Sequence, residues 1–240
     1  MINISLFSGA GGLDIAAKYV GIKTVAYVEN DPYAQGVLIS RMRSGDLDDA
    51  PIFEDVRTFD GRSLKGSIDI VSGGFPCQPH SAAGKRGGAQ DTRNLWPDYL
   101  RIVRECQPRF VLAENVLGIF DTGYAIEVLA GLEEAGYCAT PYTTSACAVG
   151  APHMRRRVFF LAHAAGTGRR EVKGSSRARK ELLESSGCDY KSFWIKKICA
   201  PDCRIPDGME FGMDRHRLCG NGVVPQQAYP AWWKIVEMAQ

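Results

Sequence analysis

INISLFSGAGGLDIAAKYVGIKTVAYVEN, residues 2–30, reads as an apolar run, a glycine-rich turn, a helix-length segment and a second apolar run. Ile2–Phe7 is apolar enough for a strand buried on both faces of a parallel sheet, Leu13–Val20 can form a helix that Gly21 stops, and Lys23–Val28 is the next strand. In the SGAGG turn, Gly9, Gly11 and Gly12 let the backbone pass close to a ligand, and the start of the following helix offers unpaired N–H groups to a carboxylate or phosphate. Glu29 closes the second strand about twenty residues beyond the glycines, where an acidic side chain of a Rossmann-type unit accepts hydrogen bonds from ribose hydroxyls. The spacing implies an α/β, Rossmann-like sheet that binds a nucleoside cofactor, although a glycine turn alone also fits an ordinary tight turn.

Further segments fall where the same sheet would place its ligand rim. The apolar run Ile68–Val71 leads into GGFPCQP, residues 73–79, so Cys77 sits on a Gly/Pro-stiffened loop just past a strand end, the position of a nucleophile rather than of a packing residue. Asp55 and Val56 follow Pro51-Ile52-Phe53 and can edge the cofactor pocket, Asp55 at an adenine amino group and Val56 at the ring face. Phe110–Ala113 is another short strand and ends in Glu114-Asn115-Val116. A carboxylate desolvated there has a raised pKa and can hold a proton for a base ring nitrogen, while a helix-capping Glu-Asn pair is the plainer alternative. After a helix over roughly residues 125–135 comes GAPHMRRRVFFLA, residues 150–162, with a strand at Val158–Ala162. Alternation ahead of that strand turns Arg155 and Arg157 to one side and Arg156 to the other, so two forked guanidiniums face one site and can clamp a phosphate or a polarised carbonyl. A C-terminal helix, Gln226–Met238, carries Trp232 and Trp233 and is expected to pack back on the sheet.

Composition narrows the class. The chain has 240 residues and 45% hydrophobic content, enough for one domain and a small insertion. No apolar stretch approaches the ~20 residues of a membrane span, and the opening MINISLF lacks the basic flank of a signal peptide, so a cytoplasmic location is expected. Eight cysteines, at 77, 106, 138, 147, 188, 199, 203 and 219, lack small-scaffold spacing and read as reduced thiols; without close Cys-x-x-Cys pairs, no metal site is expected. The net charge of +2 hides an asymmetry: residues 1–152 hold 13 Lys/Arg against 18 Asp/Glu, and residues 153–240 hold 16 against 9. Between Arg155 and Lys180 there are nine basic side chains, Arg169 and Arg170 among them, and only Glu171 opposes them, a plausible polyanion footprint.

Taken together, SLFSGAGGLD (5–14), VEND (28–31), DV (55–56), GGFPCQPHSAAG (73–84), ENV (114–116), PHMRRR (152–157) and GNGVVPQ (220–226) resemble, in the family's order, the DNA cytosine-5 methyltransferases of bacterial and phage type. The resemblance covers residues 2–162 and about 207–240. It implies an S-adenosylmethionine-dependent methyltransferase sheet, with residues 163–206 as a target-recognition insertion. On this pattern Cys77 attacks C6 of a target cytosine, Glu114 holds N3 and the exocyclic amine, Arg155 steadies the base carbonyl, and Arg157 shares the catalytic site. S-adenosyl-L-methionine would be held by Phe7, Gly9, Gly11, Glu29, Asp55, Val56 and Pro76, with Asn221 and Val223 from the returning C-terminal segment. Double-stranded DNA is the implied partner, its target base extruded from the stack. Gln78, Ser81, Lys85 and Arg86, on the loop that closes over that base, and Arg169 and Arg170 are the implied DNA contacts. A monomer is expected, and a companion restriction endonuclease stays open.

Four features depart from the family pattern. Ser5 stands where many members carry Asp, His153 where Gln is usual, and Gly222 where a small polar residue or alanine follows Gly-Asn. The insertion at 163–206 is also shorter than usual. Two alternatives therefore stand beside the leading one: a descendant that binds cofactor and DNA with weak or lost activity, and an RNA cytosine-5 methyltransferase. The residues Phe-Pro-Cys at 75–77, in place of Pro-Pro-Cys, favour DNA.

Overall fold

Alternation along the strands builds two cores on opposite faces of one sheet. Ile4, Leu6, Val71, Val111, Ala113, Val158 and Phe160 point to one face, and Ile70, Phe110, Leu112, Phe159 and Leu161 to the other. The structure, a computed structural model, describes residues 1–76, 94–166, 218 and 222–240. In chain order these form β1 (Ile2–Leu6), α1 (Gly12–Tyr19), β2 (Lys23–Val28), α2 (Pro32–Arg43), β3 (Ile52–Phe53), β4 (Ile70–Gly74), α3 (Trp96–Cys106), β5 (Phe110–Val116), α4 (Tyr124–Glu134), β6 (Tyr137–Ser145), β7 (Arg156–Ala164) and α5 (Pro225–Ala239). The seven-stranded sheet runs β3-β2-β1-β4-β5-β7-β6. It is parallel from β3 to β5, and β7 is antiparallel to both β5 and β6.

Helices α3 and α4 cover the first face through Tyr99, Ile102, Val103, Tyr124, Val128 and Leu132. Helices α1 and α5 cover the second, where Leu13, Ala16, Ala17, Ala228, Ala231, Trp232 and Ile235 share a cluster. Trp232 is fully buried and its Nε1 donates to the Leu13 carbonyl at 2.9 Å, which ties the last helix to the first. Trp233, next to it, is half-buried and donates to Glu237 within its own helix, so only one of the two tryptophans serves the core. Strand β6 was not anticipated. Its sequence YCATPYTTS is polar and contains Pro141, a composition tolerated because β6 is the sheet's edge and needs no donor on its outer side. Strand β7 runs to Ala164, two residues past its expected end, while the rest of the 163–206 insertion beyond residue 166 lies outside the described residues.

One core is not apolar. Asn3 and Ser5 of β1, on the α1 face, belong to a buried polar chain in which Asn3 Nδ2 donates to Thr24 Oγ1 at 3.2 Å, Thr24 Oγ1 to Asp14 Oδ1 at 3.1 Å, and Ser5 Oγ to Asp14 Oδ2 at 2.9 Å. The departure at Ser5 thus has a structural counterpart: the carboxylate sits on α1, and Ser5 supplies its donor. Burial pushes the Asp14 carboxyl up to about 6, against the two hydroxyl donors that lower it. A folded-state pKa above the unfolded value means that the native state holds the extra proton. Stability from this group is therefore full below about pH 4 and is lost as pH rises through about 6, by roughly 2–3 kcal/mol. We predict that Asp14→Asn removes this slope: the melting temperature of the variant relative to wild type rises by a few degrees between about pH 5 and about pH 8. A pH-independent difference in calorimetry would contradict it.

Candidate active site

Strands β1, β2 and β3 step outward on one side, and the chain then returns to place β4 on the other side of β1. That is a topological switch point, and ligands of such sheets bind outside the strands' carboxyl ends. Each parallel strand ends at an anticipated site residue: Phe7, Gly9 and Gly11 after β1, Glu29 after β2, Asp55 and Val56 after β3, Pro76 after β4, and Glu114 within the last turn of β5. Because β7 runs antiparallel, its beginning lies at this same rim, with Arg157 paired to Val116 and Phe159 to Glu114. Cys77, Gln78, Ser81, Lys85, Arg86, Arg169, Arg170 and Asn221 lie outside the described residues.

On the β1 side the turn is tightly specified. Phe7 adopts φ 51, a left-handed conformation unusual for a residue with a side chain and most often found where a site over-determines the backbone. Gly9 (φ 54) donates its N–H to Glu29 Oε2 at 2.7 Å, and Glu29 Oε1 accepts from Asp31 N at 2.9 Å. Glu29, 9% exposed, therefore shapes the turn, and each of its oxygens has lone-pair capacity left for a ligand hydroxyl. The glycines at 11 and 12 are also required by protein packing: a Cβ on Gly11 would stand 2.7 Å from Leu47 Cδ1, and one on Gly12 would stand 2.1 Å from the Val223 carbonyl oxygen. That second contact brings the returning C-terminal segment against the start of α1. Val56 is buried in the main core, which leaves half-buried Asp55 as the accessible member of its pair.

The β5 side carries the charges. Glu114 is buried, and its Oε1 stands 2.8 Å from Arg157 Nε, itself nearly buried. The pair is close in distance but misaligned, because Oε1 has no directed hydrogen bond among the described residues. Burial raises the Glu114 carboxyl to about 7, while the charges of Arg157 and Arg155 pull it down. Arg156 is exposed, so the expected alternation holds. The carboxylate fits only because β4 presents Gly74 opposite it: a Cβ there would lie 2.8 Å from Glu114 Oε2. Arg155 donates to the Gly222 carbonyl.

Two supporting residues escaped the sequence reading. Asn115 donates from Nδ2 to the Phe75 carbonyl at 3.1 Å, so the residue after Glu114 holds the loop that leads to Cys77. Gln227, fully buried on α5, donates from Nε2 to the carbonyls of Thr144 at 2.9 Å and Arg155 at 2.7 Å. The available signal was a glutamine on the face of α5 that also carries Ala228, Ala231, Trp232 and Ile235.

A Rossmann-like methyltransferase sheet with a buried carboxylate and two arginines at its switch-point rim defines the class. The chain belongs to the C-5 cytosine-specific DNA methylase family, whose model matches residues 1–191. It is 37% identical over 138 residues to Type II methyltransferase M.PspPI of Psychrobacter sp. strain TA137, an alignment covering 56% of this chain and 32% of that protein. With M.AquIA of Picosynechococcus it shares 35% identity over 184 residues, covering 68% of this chain and 72% of the relative. The chain thus spans about a third of one relative and most of another. A variant of DNMT2 from Spodoptera frugiperda has the same fold, with a TM-score of 0.59 at 20% identity over 73% of this chain and 53% of that one. No helix among the described residues is long and apolar enough to cross a membrane.

Removing the Arg157 charge should raise the Glu114 pKa above about 7, since that charge lowers it. Carbon-13 NMR of labelled glutamate side chains, assigned with Glu114→Gln, should show one carboxyl titrating near 7 and moving upward in Arg157→Met; a carboxyl titrating at the ordinary ~4.3 would contradict the desolvated site.

Proposed function

We propose that this chain transfers a methyl group from S-adenosyl-L-methionine to C5 of a cytosine in double-stranded DNA. The observation that carries the reading is the buried Glu114 carboxyl, raised to about 7 and set against Arg157 at the rim where β4 leads to Cys77. Family membership supports the same reaction. The cofactor side fits the molecule: Glu29 keeps lone pairs for ribose hydroxyls, Asp55 stands at the end of β3, and the start of α1 is a site for a carboxylate. When bound, S-adenosyl-L-methionine supplies a methyl carbon made electrophilic by its sulfonium.

The chain's own residues prepare the acceptor. Cytosine C5 is too weak a nucleophile to attack that carbon unaided. Cys77 as thiolate adds to C6, Glu114 gives a proton to N3 and accepts a hydrogen bond from the exocyclic amine, and the displaced electron pair makes C5 nucleophilic. After methylation, loss of the C5 proton to solvent expels Cys77, and N3 returns its proton to Glu114. Arg155 steadies the base carbonyl, while Arg157 keeps Glu114 from drifting to a still higher pKa. The base must leave the duplex stack, which costs a few kcal/mol.

Plasmid DNA from a methylation-free bacterial host expressing the chain tests the reading by bisulfite sequencing. The expected result is cytosines protected within one short sequence, and none with Cys77→Ser. Uniformly unprotected DNA from soluble protein that still binds S-adenosyl-L-methionine would overturn the DNA assignment.

A further inference from the structure

We infer that Arg101, with Glu105, is a positioning residue for the cofactor: from the outer side of α3 it fixes the loop that presents Asp55. The inference rests on the methyltransferase reading above and assigns a function to residues outside every expected contact.

The loop after β3 has few bonds of its own. Thr58 and Phe59 donate backbone N–H groups to the Asp55 carbonyl at 3.2 and 3.0 Å, and Asp55 Oδ1 accepts from Arg57 N at 2.9 Å. These bonds make a turn but leave the carbonyls of Val56, Arg57 and Phe59 turned towards α3. Arg101 takes them. Its Nη2 donates to the Val56 carbonyl at 2.7 Å and to that of Arg57 at 3.4 Å, and its Nη1 donates to the Phe59 carbonyl at 3.0 Å. The same Nη1 donates to Glu105 Oε1 at 2.8 Å, one helical turn along α3. Glu105 then reaches the far end of the loop, accepting from Gly61 N through Oε2 at 2.9 Å. Gly61 permits this closeness, because a Cβ there would lie 2.6 Å from Cys106 Sγ.

Two side chains spaced i, i+4 on one helix therefore grip a short loop at both ends, and Asp55 stands immediately before the gripped segment. A planar fork of donors is needed to meet diverging carbonyls at once; a lysine reaches one or two but cannot span the set. Among the described residues Asp55 itself is anchored through its own turn, so its direction depends on whether that turn keeps its place on α3. Helix α3 is a firm base: the single Tyr99 hydroxyl is shared between the carbonyls of Val71 at 3.2 Å and Leu112 at 3.1 Å, fastening the helix across β4 and β5.

The test is a double-mutant cycle on the dissociation constant for S-adenosyl-L-methionine, measured by calorimetry with the full chain. Arg101→Met is expected to weaken binding on the order of tenfold, and Arg101→Lys by an intermediate factor. In an Asp55→Ala background, Arg101→Met should add less than about twofold, because its effect passes through Asp55. At saturating cofactor the turnover of Arg101→Met should return to within about twofold of wild type, a split between KM and kcat that general destabilisation does not produce. Glu105→Gln, which keeps an acceptor for Gly61, is the second variant in case Arg101→Met fails to fold, and should weaken binding several-fold. Unchanged affinity in Arg101→Lys and Glu105→Gln, or losses that simply add to that of Asp55→Ala, overturn the positioning role while leaving the methyltransferase reading intact. A wild-type chain that does not bind S-adenosyl-L-methionine overturns both.

Discussion

The buried contact between Glu114 and Arg157 depends on a single topological choice, the antiparallel entry of β7 beside β5. A parallel strand there would bring its carboxyl end to the rim, and the arginine motif, which opens β7, would lie at the opposite edge of the sheet. With β7 reversed, residues 155–157 arrive where β5 delivers its carboxylate. A buried carboxylate without a cation nearby would stay protonated far above neutrality, and one fully neutralised would ionise well below it. Burial, opposed by the charges of Arg157 and Arg155, leaves Glu114 between those limits, at about 7, where a group can both hold and release a proton.

The second constraint ties chain ends together. The C-terminal segment lies against α1 at Gly12, Trp232 bonds the Leu13 carbonyl, and Gln227 bonds the Arg155 carbonyl, so α5 links the start of the cofactor turn to the arginine motif. Arg155 returns the connection through the Gly222 carbonyl. The β1 side and the β5 side of the rim are thus braced by one helix, α5.

Much of this was legible in the amino-acid sequence because it rests on local patterns. Continuous apolar runs, the glycine turn and the distance to Glu29 located β1, α1 and β2 to within a residue or two. Glu114 and the arginines were legible because charged groups beside apolar strands need a reason to be there. What was not legible is pairwise and long-range. Strand β6 hides behind a polar, proline-containing edge composition. Asn115, Gln227 and Arg101 act by donating to backbone carbonyls of segments 40 to 83 residues away, and a carbonyl acceptor leaves no mark in a sequence. The packing demand on the glycines at 11 and 12 was not legible either, because it comes from Leu47 and from the backbone of Val223, both distant in the sequence.

The central claim, that Cys77 forms a transient bond to a cytosine activated at this rim, is tested most directly by trapping that bond. A random-sequence duplex containing 5-fluorocytosine, incubated with the chain and S-adenosyl-L-methionine, cannot lose fluorine from C5 as it would lose a proton, so the adduct persists through denaturation. Mass spectrometry of the digested complex should find the nucleotide on the peptide that contains residues 73–79, attached at Cys77. Methylated product from ordinary DNA with no trapped species, or a nucleotide attached to another side chain, would contradict the account.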